Sequence, residues 1–335
     1  MYNIIFYGLF DGDGYRGSRD FEVSIGSTSF VETCVLKDLF ISVFNREPKL
    51  RVYVVNKNPF RICFRPYVRG SRYYALVSED VLNRISIEYP IEYLSGLFYS
   101  DGSVDAKIDR RTSRYKIVFY GIKFHIKPGR HRIEKNDRYY TISKRIVNAI
   151  SKLGIKPRIV REHGRIVAYA ISRKYKIIDN IVLKYGVNYK YSMYKFLSKD
   201  LDLPIALFAI YLDYWLLNRI AYMVLLNEKF QIYNRYLSKN YLMFERSIIN
   251  KVLDQYSVLS KDLADIDNPW IIWDYINVCS AEDLEWLARE LLKEVKDQYW
   301  IFKEYIIPRF RNNMRRFYLD SLDLYFSNSL SKYKS

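Results

Sequence analysis

The chain has three cysteines, three histidines and three glutamines in 335 residues. Cys34, Cys63 and Cys279 are too few and too scattered for a disulfide framework or a thiolate zinc site, which predicts a reducing, cytoplasmic setting. His125, His131 and His163 lack ligand spacing, which argues against histidine-based metal or nuclease chemistry. Few glutamines (Gln231, Gln255, Gln298) beside abundant Lys, Arg, Ile and Tyr are compatible with a thermophilic prokaryotic source. No basic segment precedes Asp11 and Asp13, so no signal peptide is expected. The longest apolar run, 203 to 226, is interrupted by Asp213 and Arg219 and reads as a buried helix, with no membrane span.

What is present is a folding composition: half the residues are hydrophobic and 33 are tyrosine. The length suits two or three compact units. The net charge of +17 is concentrated. Residues 1 to 103 carry 12 basic and 12 acidic groups, residues 104 to 176 carry 21 and 5, and residues 177 to 335 carry 21 and 20. A local field of that kind attracts a polyanion by releasing its counterions, so nucleic acid is the expected partner.

Along the chain, residues 4 to 11 read as helix, 21 to 27 as strand and 30 to 44 as an amphipathic helix ended by "NREP". "RVYVVNK" and "FRICFRP" read as strands joined through Asn58-Pro59, and 78 to 85 as a short helix with Ser78 at its N-cap. From Ile91 the order restarts: a helix, strands near 104 to 111 and 115 to 127, a helix from about 137 to 153, strands near 156 to 162 and 165 to 172, and a helix from 174. This is an α+β pattern of sheets backed by helices. Beyond about Tyr189 strand signals stop, and all five tryptophans lie there among helical patterns. The expected division is 1–88, 89–188 and an all-α C-terminal domain, 189–335, of unknown role. "PRFRNNMRRF" from Pro308 reads as a solvated basic helix face, with an extension of a DNA or RNA surface as the alternative.

"FYGLFDGDGYRGSRDFE" admits a calcium-loop reading, with Asp11, Asp13 and Glu22 at positions 1, 3 and 12. The match fails at Arg16, where the sharp turn needs glycine, and Tyr15 stands at a ligand position. A plain helix-ending turn is the alternative, with Gly14 in a positive-φ conformation. A second copy decides otherwise. Gly8-Leu9-Phe10-Asp11-Gly12-Asp13-Gly14 aligns with Gly96-Leu97-Phe98-Tyr99-Ser100-Asp101-Gly102 at an offset of 88, identical at five of seven positions. Such a repeat suggests two similar units whose motif helices pack together, Gly8 and Gly96 letting the backbones approach. The two aspartates would then meet and require cations between them, and hard oxygen ligands suit Mg²⁺.

"FYGLFDGDG" and "YLSGLFYSDGS" resemble the two motifs of single-chain LAGLIDADG homing endonucleases, and the resemblance covers about residues 1 to 187. It implies two pseudo-symmetric αββαββα units, the first abbreviated, that form a saddle over double-stranded DNA, in a monomer that homes introns. It implies Asp13 and Asp101 as catalytic metal ligands for Mg²⁺ (or Mn²⁺), with the carbonyls of Gly12 and Ser100 nearby and Asp11 a bystander. The implied chemistry is metal-assisted hydrolysis of two phosphodiesters. A basic residue near the metals is also implied, with Lys184 and Lys190 as candidates. The rival reading is a non-cleaving binder on the same scaffold, such as an intron RNA maturase or a DNA-binding regulator.

The basic stretch reads as a long β-ribbon able to enter a major groove. Lys107 and Arg111 share a face with Asp105 and Asp109; on the second strand Arg114, Lys116 and Tyr120 face away from Tyr115, Ile117 and Phe119. Past Gly121 the parity shifts to Lys123, His125 and Lys127, as a bulge causes. In the first unit Arg16 and Arg19, with Arg51, Arg61 and Arg65, are the candidate contacts, and the space between Gly14 and Phe21 leaves little room for a ribbon strand.

Overall fold

The structure is a computed structural model and describes residues 2–57, 60–109, 116–126, 138–198, 200–221, 239–255 and 278–295, with single residues 270, 276, 300, 304 and 307. The first unit runs α1 (Ile5–Asp13), β1 (Gly14–Gly17), β2 (Glu22–Ile25), α2 (Phe30–Phe44), β3 (Lys49–Lys57), β4 (Phe60–Arg69), α3 (Ser71–Leu76) and α4 (Glu79–Glu88). The second runs α5 (Pro90–Asp101), β5 (Gly102–Asp109), β6 (Lys116–His125), α6 (Arg138–Lys152), β7 (Arg158–Glu162), β8 (Arg165–Ser172) and α7 (Ile177–Tyr185). The sheets have the same antiparallel order, β1-β2-β4-β3 and β5-β6-β8-β7. The two copies therefore share a topology as well as a motif.

They differ in reach. β1 and β2 are four residues each, whereas β5 and β6 are eight and ten. The space after Gly14 does hold a strand, but a stub of one. Gly14 and Gly102 are extended at φ −73° and −85°, so Gly14 is not the positive-φ cap of the plain-turn alternative. Each motif helix passes straight into its first strand.

The expected bulge lies in the second ribbon. Asp105 pairs with Gly121 and Ala106 with Phe119, leaving Tyr120 as the extra residue. Gly121 has φ 144°, and a Cβ there would lie 1.9 Å from the Ile171 carbonyl oxygen, so only glycine fits.

Helix α2 starts at Ser29, whose Oγ accepts from the Glu32 amide at 3.0 Å, and ends at Asn45 in the left-handed conformation. Its residues 30–36 are all buried, so the amphipathic reading holds only for the second half, where Asp38, Ile41 and Ser42 are exposed and Leu39, Phe40 and Phe44 buried. The sheet covers one side, and the C-terminal helices cover the other. Those helices are α8 (Asn188–Leu197), α9 (Leu203–Tyr211, continued by a π-helical turn Leu212–Leu217), α10 (Lys239–Gln255) and α11 (Ala281–Val295).

Asp213 in the π turn accepts from Ser29 Oγ at 2.6 Å and from the Val31 amide at 3.2 Å, and Asn218 donates to the Thr28 carbonyl. Trp270 Nε1 donates to the Pro48 carbonyl at 2.8 Å. Cys34 and Cys279, 245 residues apart, form a disulfide with Cα atoms 5.7 Å apart. The expectation that the cysteines stay unpaired is thus corrected: sequence distance said nothing about the fold bringing α2 and the start of α11 together. One continuous apolar core runs from α1 through both units into α9 and α11. The helix Leu203–Ala221 is long and apolar enough to cross a membrane by length and composition, and it is mostly buried inside the protein. The Arg-rich stretch 308–317 lies outside the described residues.

Candidate metal and nucleic-acid site

The site is built by α1 and α5, which pack backbone to backbone. A methyl on Gly8 would lie 2.0 Å from the Tyr93 carbonyl oxygen, and one on Gly96 would lie 2.1 Å from that of Ile5. The contact is reciprocal, as expected of a pseudo-twofold axis between the copies. One turn on, a methyl on Gly12 would lie 2.0 Å from Ser100 Oγ. Asp13 and Asp101 follow those two residues, so both carboxylates stand at abutting helix ends. Asp13 is exposed and Asp101 half-buried. Each helix terminus adds its own partial negative charge.

Among the described residues no group of three or more His, Cys, Asp or Glu side chains gathers around a metal-sized point. A cation here would rest on two carboxylates and backbone oxygens, a donor set of hard oxygens that fits Mg²⁺ or Mn²⁺. The Gly12 carbonyl would belong to that set. The Ser100 carbonyl is engaged: it accepts from Lys190 Nζ at 2.8 Å. Lys190 is buried in α8 and also donates to the carbonyls of Phe98 and Tyr99, at 2.8 and 2.7 Å. The other basic candidate, Lys184, pairs with Glu92 at 3.1 Å.

Two titratable groups flank the helix ends. Burial raises the Glu32 carboxyl to about 7, with Lys190 lowering it and Asp13 raising it. Burial lowers the His125 imidazole, as do the charges of Lys123 and Lys190, against Asp101. His125 Nε2 lies 2.7 Å from Ser103 Oγ.

Asp11 is buried in a polar knot. Its carboxylate receives Arg145 Nε and Nη2 of α6 at 2.7 and 2.6 Å and the Tyr93 hydroxyl at 2.6 Å. Arg145 also reaches Glu79 at 2.7 Å and Asn83 at 3.2 Å. The counterpart of Asp11 is Tyr99, whose hydroxyl donates to the Val182 carbonyl at 2.7 Å. With Asp11 committed to Arg145 and Glu22 to two other arginines, the calcium-loop reading keeps only Asp13 of its three carboxylates.

The open face of the second sheet carries Ser103, Asp105 and Lys107 on β5, then Lys123 and His125 past the bulge. Lys107 and Tyr120 are exposed. Asp105 is buried between Lys123 and Arg158, each 2.7 Å away. Lys116 stands opposite Asp109 in the register, while Arg111, Arg114 and Lys127 lie outside the described residues.

The first sheet repeats the device. Glu22, 3 % exposed, receives a two-pronged bond from Arg51 at 3.0 and 2.7 Å, and Arg69 at 3.1 Å. Burial alone would raise its carboxyl, and the arginine hydrogen bonds overcome it and hold it low. Arg51 and Arg69 lie over the Tyr67 ring at 4.2 and 5.3 Å, and Arg65 lies over Tyr53 at 5.3 Å. Arg16 is a correction: it pairs across from Val23, on the helix side, where it donates to the Val77 carbonyl at 3.1 Å and covers Tyr74. Arg19 is exposed in the β1–β2 turn; the side chain of Arg61 lies outside the described set.

Sequence reasoning missed Arg69, Arg158 and the two acidic clamps. The alternation R-I-C-F-R-P-Y-V-R puts Arg61, Cys63, Arg65, Tyr67 and Arg69 on one face and would have found the first of these.

No protein-family model and no curated protein matches the chain. Solved structures similar to it include the homing endonuclease I-WcaI bound to its DNA recognition sequence, 14 % identical over 57 % of this chain and 85 % of that one, with a TM-score of 0.39. I-DmoI in complex with DNA and Mn is 17 % identical over 54 % and 92 %, at 0.32. The N-terminal LAGLIDADG domain of DUF199/WhiA is 15 % identical over 56 % and 83 %, at 0.34. With its two glycine-packed motif helices, each leading into a four-stranded antiparallel sheet of the same order, this chain is similar in fold to the LAGLIDADG proteins.

Proposed function

We propose that the chain is a site-specific, homing-type endonuclease that hydrolyses both strands of duplex DNA as a monomer. The observation that carries this reading is the delivery of Asp13 and Asp101 to abutting helix ends by reciprocal glycine contacts. Two like charges held there are costly without a counter-ion, and their oxygens are the right donors for Mg²⁺ or Mn²⁺. When bound, such an ion supplies an activated water and stabilises charge on phosphorus and on the leaving oxygen.

The chain's own residues do the rest. Asp13, Asp101 and the Gly12 carbonyl would hold the cation, and no side-chain nucleophile is needed. Arg51, Arg65 and Arg69 on one sheet and Lys107, Lys123 and Arg158 on the other offset phosphate charge. The β5–β6 ribbon is of the size that enters a major groove, where its tip would read base edges.

A second reading, a non-cleaving binder of duplex DNA or intron RNA, is favoured by the four-residue strands β1 and β2, which shorten one half of the binding surface. Incubation with a randomised duplex library in Mg²⁺ separates the two. Cutting that disappears in Asp13→Asn and Asp101→Asn supports the nuclease; cutting that survives both substitutions together, or retention of duplex with no cutting, sinks it.

A further inference from the structure

Because the two sheets have the same order, their registers match position by position. Gly14, which follows Asp13, pairs with Ile25, and Gly102, which follows Asp101, pairs with Phe124. The next residues, Gly26 and His125, therefore occupy the same place in the two copies, each at the sheet end beside a motif aspartate. Their neighbours on the adjoining central strand match as well. Gly26 lies opposite Arg65 in the register that runs from Ser24–Tyr67 to Ser27–Phe64, and His125 pairs with Ala168. One copy sets a glycine against an arginine, and the other a histidine against an alanine.

Each pair is one basic side chain beside one small residue, with the strands exchanged. A Cβ on Gly26 would lie 3.0 Å from Cys63 Sγ and 3.5 and 3.7 Å from Nε and Nη2 of Arg65, so the guanidinium fills the space that a side chain at 26 would take. Ala168, opposite His125, is fully buried. Arg65 and His125 are half-buried. Both stand close to a motif aspartate. Burial raises the Cys63 thiol, with the Tyr53 hydroxyl and Arg65 lowering it and Asp13 raising it, which puts Arg65 and Asp13 around the same sulfur. Burial lowers the His125 imidazole, with Lys123 and Lys190 acting in the same direction and Asp101 and Glu162 against it.

We propose that Arg65 and His125 are equivalent phosphate-holding residues, Arg65 for the phosphodiester cut at the Asp13 end and His125 for the one cut at the Asp101 end. The proposal rests on the endonuclease reading and goes past it by giving each strand its own donor. A guanidinium offers a charged fork and an imidazole an N–H, and either can hold a non-bridging phosphate oxygen. The exchange of strands keeps the spot and changes the residue, so the two copies are alike in place and unlike in donor.

The test is single-turnover cutting, at saturating full-length chain, of a duplex selected from the randomised library, with each strand labelled separately. Arg65→Ala is expected to slow one strand by about a hundredfold and leave the other unchanged, and His125→Ala to slow only the other. Gly26→His combined with Arg65→Ala rebuilds the second copy's pair in the first and is expected to restore the strand that Arg65→Ala slows. An effect of either single variant on both strands alike, or on neither, overturns the proposal, as does a folded double variant with no restored cutting. These outcomes leave the endonuclease reading standing while Asp13→Asn and Asp101→Asn still abolish cutting. Should Arg65→Ala not fold by circular dichroism, Arg65→Gln takes its place, since it keeps a long side chain over Gly26 and drops the charge. An unaltered chain that cuts no duplex overturns both readings.

Discussion

Arg145 forks onto Asp11 through Nε and Nη2 at 2.7 and 2.6 Å, joining the first motif helix to a helix of the second unit with both side chains 1 % exposed. Burial opposes the Arg145 charge and the Asp11 carboxylate outweighs it. Arg145→Ala leaves a buried carboxylate with the Tyr93 hydroxyl as its neighbour, and is expected to cost about 3–5 kcal/mol in urea unfolding. Asp11→Leu combined with Arg145→Met is expected to recover most of that loss, because a well-packed apolar pair escapes the desolvation cost. A double variant no more stable than Arg145→Ala would contradict this account.

The helix seam should tolerate nothing larger than glycine. Gly8→Ala or Gly96→Ala places a methyl about 2 Å from a carbonyl oxygen of the facing helix, so the helices must part. The expected loss is on the order of 3 kcal/mol, read as a lower denaturation midpoint. Mn²⁺ binding should weaken with it, as the aspartates separate.

Asp213 ties the C-terminal helices to α2 and has its own pH signature. Burial raises its carboxyl from 3.8 to about 6, against the Ser29 and Val31 hydrogen bonds. A folded-state pKa above the unfolded one means the folded chain binds more protons between those values. Stability therefore falls as pH rises from about 4 through about 6, and levels off above 7, by an amount on the order of 3 kcal/mol. Asp213→Asn is expected to reduce that slope in unfolding measured between pH 4 and 7.

Much of the fold was legible because its cues are local. The repeat at offset 88 fixed both motif helices, and period-two alternation marked the ribbon and the parity shift at Gly121. The parts that were not legible depend on contacts far apart in sequence. Nothing near Asp11 signals Arg145, 134 residues away, and nothing near Ser100 signals Lys190 as the group on its carbonyl. Helix α2 read as amphipathic along its whole length because the second cover of its first half comes from residues beyond 200. Arg16 was misplaced for a local reason: four-residue strands give too few alternations to tell the open face from the helix side.

The disulfide is open to a direct measurement. Reductant should lower the thermal midpoint of the chain, consistent with a loss of about 2–4 kcal/mol for a cross-link between distant positions. Cys34→Ala should lie at the reduced midpoint and show no further response to reductant. An unchanged midpoint on reduction would show that the other α2 contacts hold the C-terminal helices without it.

Duplex binding through Arg158 is expected to be electrostatic and blind to sequence. Arg158→Ala should lower the slope of log K against log salt by about 1 on a random-sequence duplex, and Asp105→Asn should change affinity with that slope kept. Equal salt slopes for Arg158→Ala and the unaltered chain would remove this residue from the contact surface.

The extra residue at Tyr120 works as a coupling between two lengths of one ribbon. On the helix side of it, Lys123 and His125 are tied to Asp105 and Ser103; on the tip side, Val118, opposite Lys107, takes the face of β6 that the odd-numbered residues hold on the helix side. Matched changes of length or sequence in the tip therefore leave the inward alternation of Ile122 and Phe124 undisturbed. A lineage could rewrite what the outer ribbon contacts while the machinery at the helix ends keeps its address, so long as Gly121 stays.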